Sequence, residues 1–247
     1  KAGNDNTKAV TPQTLKTNYV QKTGDTMTGN LTVPSLNGGQ LAGLRNILIN
    51  GAVTINQRGV TYAATTVGEY WADRWKKTAG GMTQIVEDGD YKPSTQYTLS
   101  GTGVPTQALT SPATGHWTIP DVPATATMIQ LEEGPVATPF ELRPIGMELS
   151  LCLRYFQTSY DVNSVIGSNQ SNGCADAISN GNGLYSGNVS FSPKMRAAPN
   201  VTLYSAAGGS SSLSVGATVG ERGFFVTQSG GTANSSTRFH FAATAEL

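Results

Sequence analysis

The side chains of this sequence that are best suited to chemistry are those that could bind a neutral sugar. Neutral sugars are commonly held by an aromatic face that stacks on the C–H side of the ring, while Asn, Asp or Gln exchange hydrogen bonds with the hydroxyls. One turn-rich segment carries this set at Asp176, Asn180, Asn182 and Tyr185, and a second such segment covers residues 228–238. We predict glycan binding at the first segment, with an ordinary surface loop as the alternative for each residue taken singly.

The histidines and cysteines do not indicate a metal or cofactor site. His116 and His240 have no His, Cys or carboxylate at metal-ligand spacing in the sequence. Cys152 and Cys174 form no CxxC motif and there is no second cysteine pair, so a disulfide framework is not indicated either. We expect two buried free thiols, no metal and no cofactor.

The carboxylates and serines do not indicate an enzyme. A glycosidase requires two carboxyl groups roughly 5 to 9.5 Å apart in a cleft. The closest pairs in the sequence are Glu132 with Glu133 and Asp88 with Asp90, and no Gly-x-Ser-x-Gly motif of a serine hydrolase is present. The prediction is a protein that is not an enzyme, and a polysaccharide-cleaving or deacetylating enzyme is the alternative.

Charged residues are scarce in this chain and balanced in sign. Asp, Glu, Lys and Arg make up 13% of the 247 residues, about half of the roughly 25% typical of soluble domains. Lys plus Arg and Asp plus Glu each number 16, so no net field attracts phosphates and nucleic acid is not an expected partner. The apolar runs fall far short of the roughly 20 residues that cross a bilayer, so membrane insertion is not expected.

The first 45 residues predict a slender stem. Thr11 can cap a helix whose first position suits Pro12, so a short helix is expected over residues 12–17. A strand is expected at residues 31–33. Large apolar side chains are too few in this segment to offset the entropy of ordering it, so partner copies of the chain must supply contacts. We therefore predict a stem over residues 1–45 that folds only in an oligomer.

From residue 46 onward the pattern becomes β. Short strands at irregular spacing predict a jelly-roll-like β-sandwich over residues 46–144. The β pattern of Ile47, Ile49, Val53 and Ile55 is interrupted by Asn50-Gly51, and later strands are expected over residues 82–86, 96–99, 117–119 and 128–131.

A Trp-Ala-Asp-Arg-Trp cluster lies inside this predicted sandwich. Trp71 and Trp75 flank Asp73 and Arg74. Core aromatics with an Asp73–Arg74 surface pair are the expected arrangement, and a substrate platform is the alternative.

The following segment predicts a short helical linker over residues 145–153. Glu148 lies near its start and Arg154 follows its end, which suits a helix dipole. The alternation of Leu149, Leu151 and Leu153 leaves a strand open. We expect a short helix that turns into a strand at residues 154–156.

Residues 154–247 predict a second β-sandwich. Turn signals such as Asn172-Gly173 and Gly208-Gly209 separate segments in which apolar and polar side chains alternate, as in half-buried antiparallel strands. These segments are residues 188–191, 200–204 and 238–241.

Several motifs of the chain resemble tail fibres of tailed bacteriophages. Asp25-Thr26-Met27-Thr28-Gly29-Asn30-Leu31 is similar to their Asp-Thr-Met-Thr-Gly-x-Leu repeat. The stretch from Gln130 to Glu141, with its Gln-Leu-Glu-Glu-Gly-Pro-Val-Ala-Thr-Pro-Phe-Glu sequence, and the closing residues 239–247 resemble the middle and last residues of the same proteins. The run from Glu148 to Phe156 and Met195-Arg196-Ala197-Ala198-Pro199 also resemble tail-fibre signatures.

The resemblance implies a homotrimeric fibre protein of the virion. Its expected parts are a stem at 1–45, a jelly-roll-like sandwich at 46–144, a helical linker at 145–153 and a receptor-binding tip at 154–247. Its expected partners are two further copies of the chain, an upstream tail or baseplate protein, and a glycan of the host surface, either lipopolysaccharide or capsule. Its expected function is adsorption of the phage to that glycan without catalysis. The alternatives are a polysaccharide depolymerase or deacetylase and a structural collar or connector.

Overall fold

The structure is a computed structural model that describes residues 43–180, 182, 184–228, 232 and 234–247. The predicted helix at 12–17, the predicted strand at 31–33, the fibre repeat at 25–31 and all but the last three residues of the predicted stem lie outside these residues. Residues Ala42–Leu247 form one compact unit. The predicted modules 46–144 and 154–247 therefore share this unit.

The fold is mainly β, with 38% of residues in strands and a single helix in the described part, which confirms the predicted class. The helix, α1, covers Ile145–Leu153 and confirms the predicted linker helix. The strands are β1 (Tyr70–Ala72), β2 (Trp75–Lys77), β3 (Met82–Thr83), β4 (Ile85–Val86), β5 (Gln96–Thr102), β6 (Val104–Thr110), β7 (Trp117–Thr118), β8 (Thr127–Glu133), β9 (Phe156–Thr158), β10 (Ala175–Ser179), β11 (Tyr185–Ser190), β12 (Asn200–Ser205), β13 (Ser214–Gly220), β14 (Gly223–Gln228) and β15 (Ser236–Thr244).

The N-terminal part, residues 46–144, contains small antiparallel sheets around one apolar core. Their strand orders are β1-β2-β3, β4-β7 and β6-β5-β8. The core holds Trp75, Leu99 and Ile129, each 0% exposed or nearly so, with Trp117 at its side. The predicted strands at 96–99, 117–119 and 128–131 are confirmed with ends that differ by at most three residues, and the predicted strand at 82–86 is divided into β3 and β4, which belong to different sheets.

The β pattern expected on either side of Asn50-Gly51 does not form strands, whereas the expected interruption at Asn50-Gly51 is a turn. Asn50 adopts a left-handed backbone conformation with φ of 56°. Its side-chain oxygen accepts from the backbone N–H groups of Thr54 at 3.0 Å and Ile55 at 3.1 Å. Asn is one of the few residues whose short polar side chain stabilises such a turn. These local hydrogen bonds replace the ladder that a strand would require.

The prediction of an Asp73–Arg74 surface pair is also wrong. Asp73 is 0% and Arg74 1% exposed. Asp73 accepts from the Arg58 guanidinium at 3.1 Å, whereas Arg74 donates to Glu246. The two residues form the turn between β1 and β2, where Arg74 adopts a left-handed backbone conformation with φ of 69°. Each charge therefore finds its partner in a different segment of the chain.

The C-terminal part, residues 154–247, is built on one seven-stranded antiparallel sheet. The order is β12-β15-β10-β11-β14-β13, with β9 paired to β15 as well. The sheet curves like a half-barrel, and its two edge strands approach each other where the Ser211 N–H, before β13, donates to the Leu203 carbonyl of β12 at 3.3 Å. The strands predicted as a second sandwich thus share a single hydrogen-bonded sheet.

Strand β15 organises this sheet because it is long enough to pair with three others. It pairs with β12 along one edge and with β10 and then β9 along the other. Its inward side chains, Phe239 and Phe241 among them, pack on Phe191 and Phe224 in a second apolar core. Residues 239–243 of β15 are all buried, so both faces of the strand are covered over this stretch.

Helix α1 and the residues after it join the two parts. Cys152 and Tyr155, both 0% exposed, pack with Ile49 and Ile55 of the N-terminal part and with Leu247 of the chain end. Gln57 donates from its side chain to the Phe156 carbonyl at 3.1 Å. The joint is therefore apolar at its centre.

Buried ion pairs surround this apolar joint. Arg58 donates to Asp73 at 3.1 Å and to Glu246 at 3.0 Å, and Glu246 also accepts from Arg74. The Arg74 guanidinium lies over the Tyr155 ring at 3.5 Å from its centroid. Glu246 comes from the end of the chain, so these contacts bind its last residues to the N-terminal part.

We predict that Glu246→Ala destabilises the protein by about 3–5 kcal/mol, because it leaves two buried guanidinium groups short of a carboxylate. The matched control is Glu221→Ala, since Glu221 forms an ion pair with Lys194 in which both side chains are about half exposed, 44% and 58%. Loss of that exposed pair costs about 0–1 kcal/mol. Urea unfolding measures both, and equal effects of the two substitutions would contradict the role of the buried network.

A second prediction concerns pH. Burial raises the pKa of Asp73 from its ordinary value of 3.8 to about 6, although Arg58 opposes the shift. Between these pH values the native state holds a proton that the unfolded chain has released, so the Asp73 contribution to the free energy of unfolding falls as pH rises from about 4 to about 6. This contribution changes by about 2–3 kcal/mol over the window.

Asp73→Asn removes this titration. The unfolding free energy of the variant minus that of the wild-type protein is expected to increase as pH rises from 4 to 7. Urea titrations at pH 4, 5, 6 and 7 measure the difference. A difference that stays constant or decreases with pH would show that Asp73 is ionised throughout.

Candidate functional site

The predicted glycan residues lie on the β10–β11 hairpin. Asp176 is exposed on β10, directly opposite Arg238 of β15. Asn180 accepts the backbone N–H groups of Asn182 and Leu184 at its side-chain oxygen, both at 3.0 Å. Asn180 thus uses its side-chain oxygen to stabilise the turn, and a ligand would compete for this same oxygen. The side chain of Asn182 is exposed.

The sheet separates Tyr185 from Asp176. Tyr185 is the cross-strand partner of the buried Ser179 and packs against the Phe-rich core, whereas Asp176 is exposed on the opposite face. The Tyr185 hydroxyl is bonded to the Ser235 hydroxyl at 2.6 Å. The structure therefore does not bring the predicted aromatic and carboxylate together on one surface.

A groove between the two parts of the unit contains both kinds of side chain that the hairpin keeps apart, aromatic rings and a carboxylate. It has a volume of about 500 Å³. It offers the phenol rings of two tyrosines, one guanidinium, one carboxylate and several threonine hydroxyls beside small apolar side chains. Its lining residues are Arg58, Val60, Ala64, Thr65, Glu69, Tyr70, Phe156, Ile166, Thr202, Tyr204, Ala242 and Thr244.

Strand alternation positions one side of the groove. Leu203 of β12 and Ala243 of β15 point into the core, so Thr202 and Tyr204 and, on β15, Ala242 face outward. The register pairs Thr202 with Ala242 and so places these side chains side by side. Phe156 of β9 extends the same face, because it pairs with Thr244.

Arg58 and Tyr70 form the other side. The Arg58 guanidinium lies 3.9 Å from the centroid of the Phe156 ring and 5.4 Å from that of Tyr70. The Tyr70 hydroxyl donates to the Leu247 carbonyl at 2.7 Å. Burial raises the pKa of Tyr70 to about 12, so this hydroxyl remains a donor. The ring is therefore held in place by the chain end.

A loop over residues 159–174 closes one end of the groove and is attached to the sheet through His240. The His240 ring stacks on Tyr160 with centroids 4.0 Å apart. Its Nδ1 lies 2.9 Å from the Ser159 hydroxyl, and its Nε2 lies 3.1 Å from the Gln170 carbonyl and 3.2 Å from the Cys174 sulfur. Ile166 of this loop lines the groove.

The Ser159–His240–Cys174 cluster has the geometry of a structural attachment. The Ser159 hydroxyl accepts the Phe241 N–H at 3.0 Å, so its own proton is directed to Nδ1. Nε2–H then donates to the Gln170 carbonyl, and no lone pair of the ring remains to activate the thiol. His240 is 0% exposed. Cys174 is only half-buried, which corrects the expectation of a fully buried thiol; Cys152 is buried as expected.

Glu132 and Glu133, the adjacent carboxylates considered for catalysis, both lie on strand β8, and their side chains point to opposite faces of its sheet. Glu132 is 0% exposed and bound to Arg45 at 2.7 Å and to the Thr138 hydroxyl at 2.6 Å. Glu133 faces solvent and pairs with Lys92 at 2.7 Å. In the described part of the chain, no group of three or more His, Cys, Asp or Glu side chains could hold a metal ion.

A second cavity of about 450 Å³ lies beside the start of α1 and is mainly apolar. Phe140, Leu142 and Ile145 line it, and Leu142 is 81% exposed. The charged side chains in its wall, Arg143 and Glu148, contact each other at 3.3 Å.

Comparisons with protein-family models, with curated proteins and with solved structures yield no match for this chain. In the described residues, no helix has the length and apolar content required to span a membrane.

The groove residues were not identified from sequence, although one signal was available. The alternation at 200–204 assigns Val201 and Leu203 to the core and Thr202 and Tyr204 to the outer face. An outward-facing tyrosine on a half-buried strand is a candidate contact residue. No comparable signal joins Tyr204 to Tyr70, because 134 positions separate them in the sequence.

Proposed function

We propose that this protein is a non-catalytic receptor-binding protein of a bacteriophage tail fibre, which attaches the virion to a polysaccharide of the bacterial surface. The observation that carries the proposal is the groove, because it combines two tyrosine rings with hydroxyl and carboxylate groups in one concave surface. The motif resemblance to tail fibres supplies the biological setting.

The groove is our first choice for the glycan site, ahead of the hairpin. Tyr204 and Thr202 lie on a strand of the sheet, so their positions are defined by the hydrogen-bond ladder. Sites on rigid elements hold a ligand more precisely than sites on loops. Asp176, Asn180, Asn182 and Tyr185 stay a prediction that the same experiment tests.

Two other functions compete with attachment. A depolymerase or deacetylase would require catalytic groups in the groove, whose lining contains one carboxylate, Glu69, and no histidine. A structural collar or connector would bind another virion protein and would not recognise polysaccharide. Attachment to a polysaccharide is the function for which the tyrosine rings and hydroxyl groups of the groove are suited.

The first test is a block of the groove. Thr202→Arg places a long side chain between Tyr204 and Tyr70 without disturbing the core face of β12. The matched control is Thr218→Arg, at another exposed strand position, on β13. On an array of bacterial lipopolysaccharides and capsular polysaccharides, the first variant is expected to lose at least tenfold in affinity and the control less than twofold.

The remaining outcomes separate the alternatives. Loss of binding with Asn182→Ala, but not with Thr202→Arg, would move the site to the hairpin. Release of reducing ends or acetate from a bound polysaccharide would identify an enzyme. If the protein binds no polysaccharide, and if adding it to host cells does not reduce phage adsorption, a structural connector would be the remaining function.

We further propose that the protein is a homotrimer and that the apolar cavity beside α1 contacts a second copy. The net charge of zero does not oppose self-association. The exposed Leu142 and Ile145 side chains are the kind of surface that interfaces cover.

Sedimentation equilibrium of the full chain is expected to give the mass of three copies. Leu142→Asp should shift the distribution towards smaller species because it places a charge in an apolar contact. Val165→Asp is the control, at a 55% exposed apolar side chain in the loop over residues 159–174. The mass of a single chain for the wild-type protein would contradict the trimer, and an unchanged mass for Leu142→Asp would exclude this surface.

A further inference from the structure

We infer that the groove selects an uncharged sugar ring and discriminates against sugars that carry a carboxylate or phosphate. The inference rests on the proposed function and deepens it, because it names the chemical class of ligand. It follows from what the charged side chains of the groove already bind.

Among the described residues that line the groove, Arg58 carries the only guanidinium, and its charge is already balanced by two carboxylates. Arg58 uses one terminal nitrogen for Asp73 at 3.1 Å and the other for Glu246 at 3.0 Å. One face of its plane lies on the Phe156 ring at 3.9 Å. The side chain is 11% exposed. Its remaining N–H groups lie beside these two carboxylates, so the negative charges of Asp73 and Glu246 oppose the approach of a third carboxylate from a ligand.

Among the described lining residues Glu69 carries the only carboxylate, and it is available to a ligand. Glu69 is exposed and accepts the Thr66 N–H at 3.1 Å. Within the described part of the chain, no Lys, Arg or His lies at ion-pair distance from it. Lys76, which lies 5.8 Å from the Tyr70 centroid, is not a lining residue. The groove therefore presents negative charge that repels an acidic sugar.

The other lining groups suit a ring with hydroxyls. Thr202 and Thr244 offer hydroxyls that both donate and accept. Tyr204 offers an aromatic face, held by an edge contact to Tyr160 with centroids 6.1 Å apart. Gly167, at φ of 83°, packs beside this ring, where a Cβ would approach it at 3.4 Å. The tyrosine is thus oriented before a ligand arrives.

The experiment uses one neutral polysaccharide bound by the full chain and the same polymer after oxidation of its primary alcohols to carboxylates. We expect the oxidised polymer to bind at least tenfold more weakly to the wild-type protein. Glu69→Gln should recover about five- to tenfold of that loss and leave binding of the neutral polymer within about twofold. The control Glu133→Gln, at an exposed carboxylate outside the groove, should change neither affinity.

Salt supplies a second readout. Repulsion between exposed charges is screened, so the discrimination of the wild-type protein should shrink between 0.05 M and 1 M salt and that of Glu69→Gln should not. Equal or tighter binding of the oxidised polymer would overturn the inference and leave the proposed function intact. Failure of every neutral and acidic polymer to bind would instead overturn the proposed function.

Discussion

The structure depends on four buried charges that must remain paired. Arg58, Asp73, Arg74 and Glu246 lie between the two parts of the unit, and each is removed from water. A charge in such a place is tolerated only with its partner in contact, because desolvation of an isolated ion costs several kcal/mol. The network therefore allows only one relative position of the two parts.

The functional groove follows from this joint. Arg58 stacks between Phe156 and Tyr70, and the chain end that carries Glu246 also accepts the Tyr70 hydroxyl through Leu247. The side chains that balance the buried charges thus also hold the aromatic wall of the groove. Among the described lining residues this arrangement leaves Glu69 as the exposed charge, and the proposed ligand selectivity would follow from it.

In the proposed fibre, a single shallow groove would bind sugar weakly, and repetition would compensate for this. Three copies in such a fibre and several fibres on a particle would raise the effective concentration of the second site once the first has bound. In this view the exposed apolar surface at Leu142 and the groove at Tyr204 have complementary functions. The first would assemble copies and the second would contact the receptor.

Local pattern was sufficient to predict the class of fold and most of its elements. The helix at Ile145–Leu153 and the strands around Leu99, Leu203 and Phe239 follow from alternation, turn residues and periodicity, which depend on neighbours in the sequence. The interruption at Asn50-Gly51 also follows from local turn chemistry, but the β pattern on either side of it does not form strands, because the side chain of Asn50 binds the backbone of Thr54 and Ile55.

The candidate groove could not be predicted in this way. Tyr70, Phe156 and Tyr204 lie on separate strands, and the partner of Asp73 is Arg58 rather than its neighbour Arg74. His240 meets Cys174 across 66 positions and Ser159 across 81. Composition, periodicity and turn chemistry by themselves determined a mainly β chain with little charge. Which charges became buried, and which tyrosines came to share a surface, was decided by tertiary packing, because desolvation and pairing depend on distance in space.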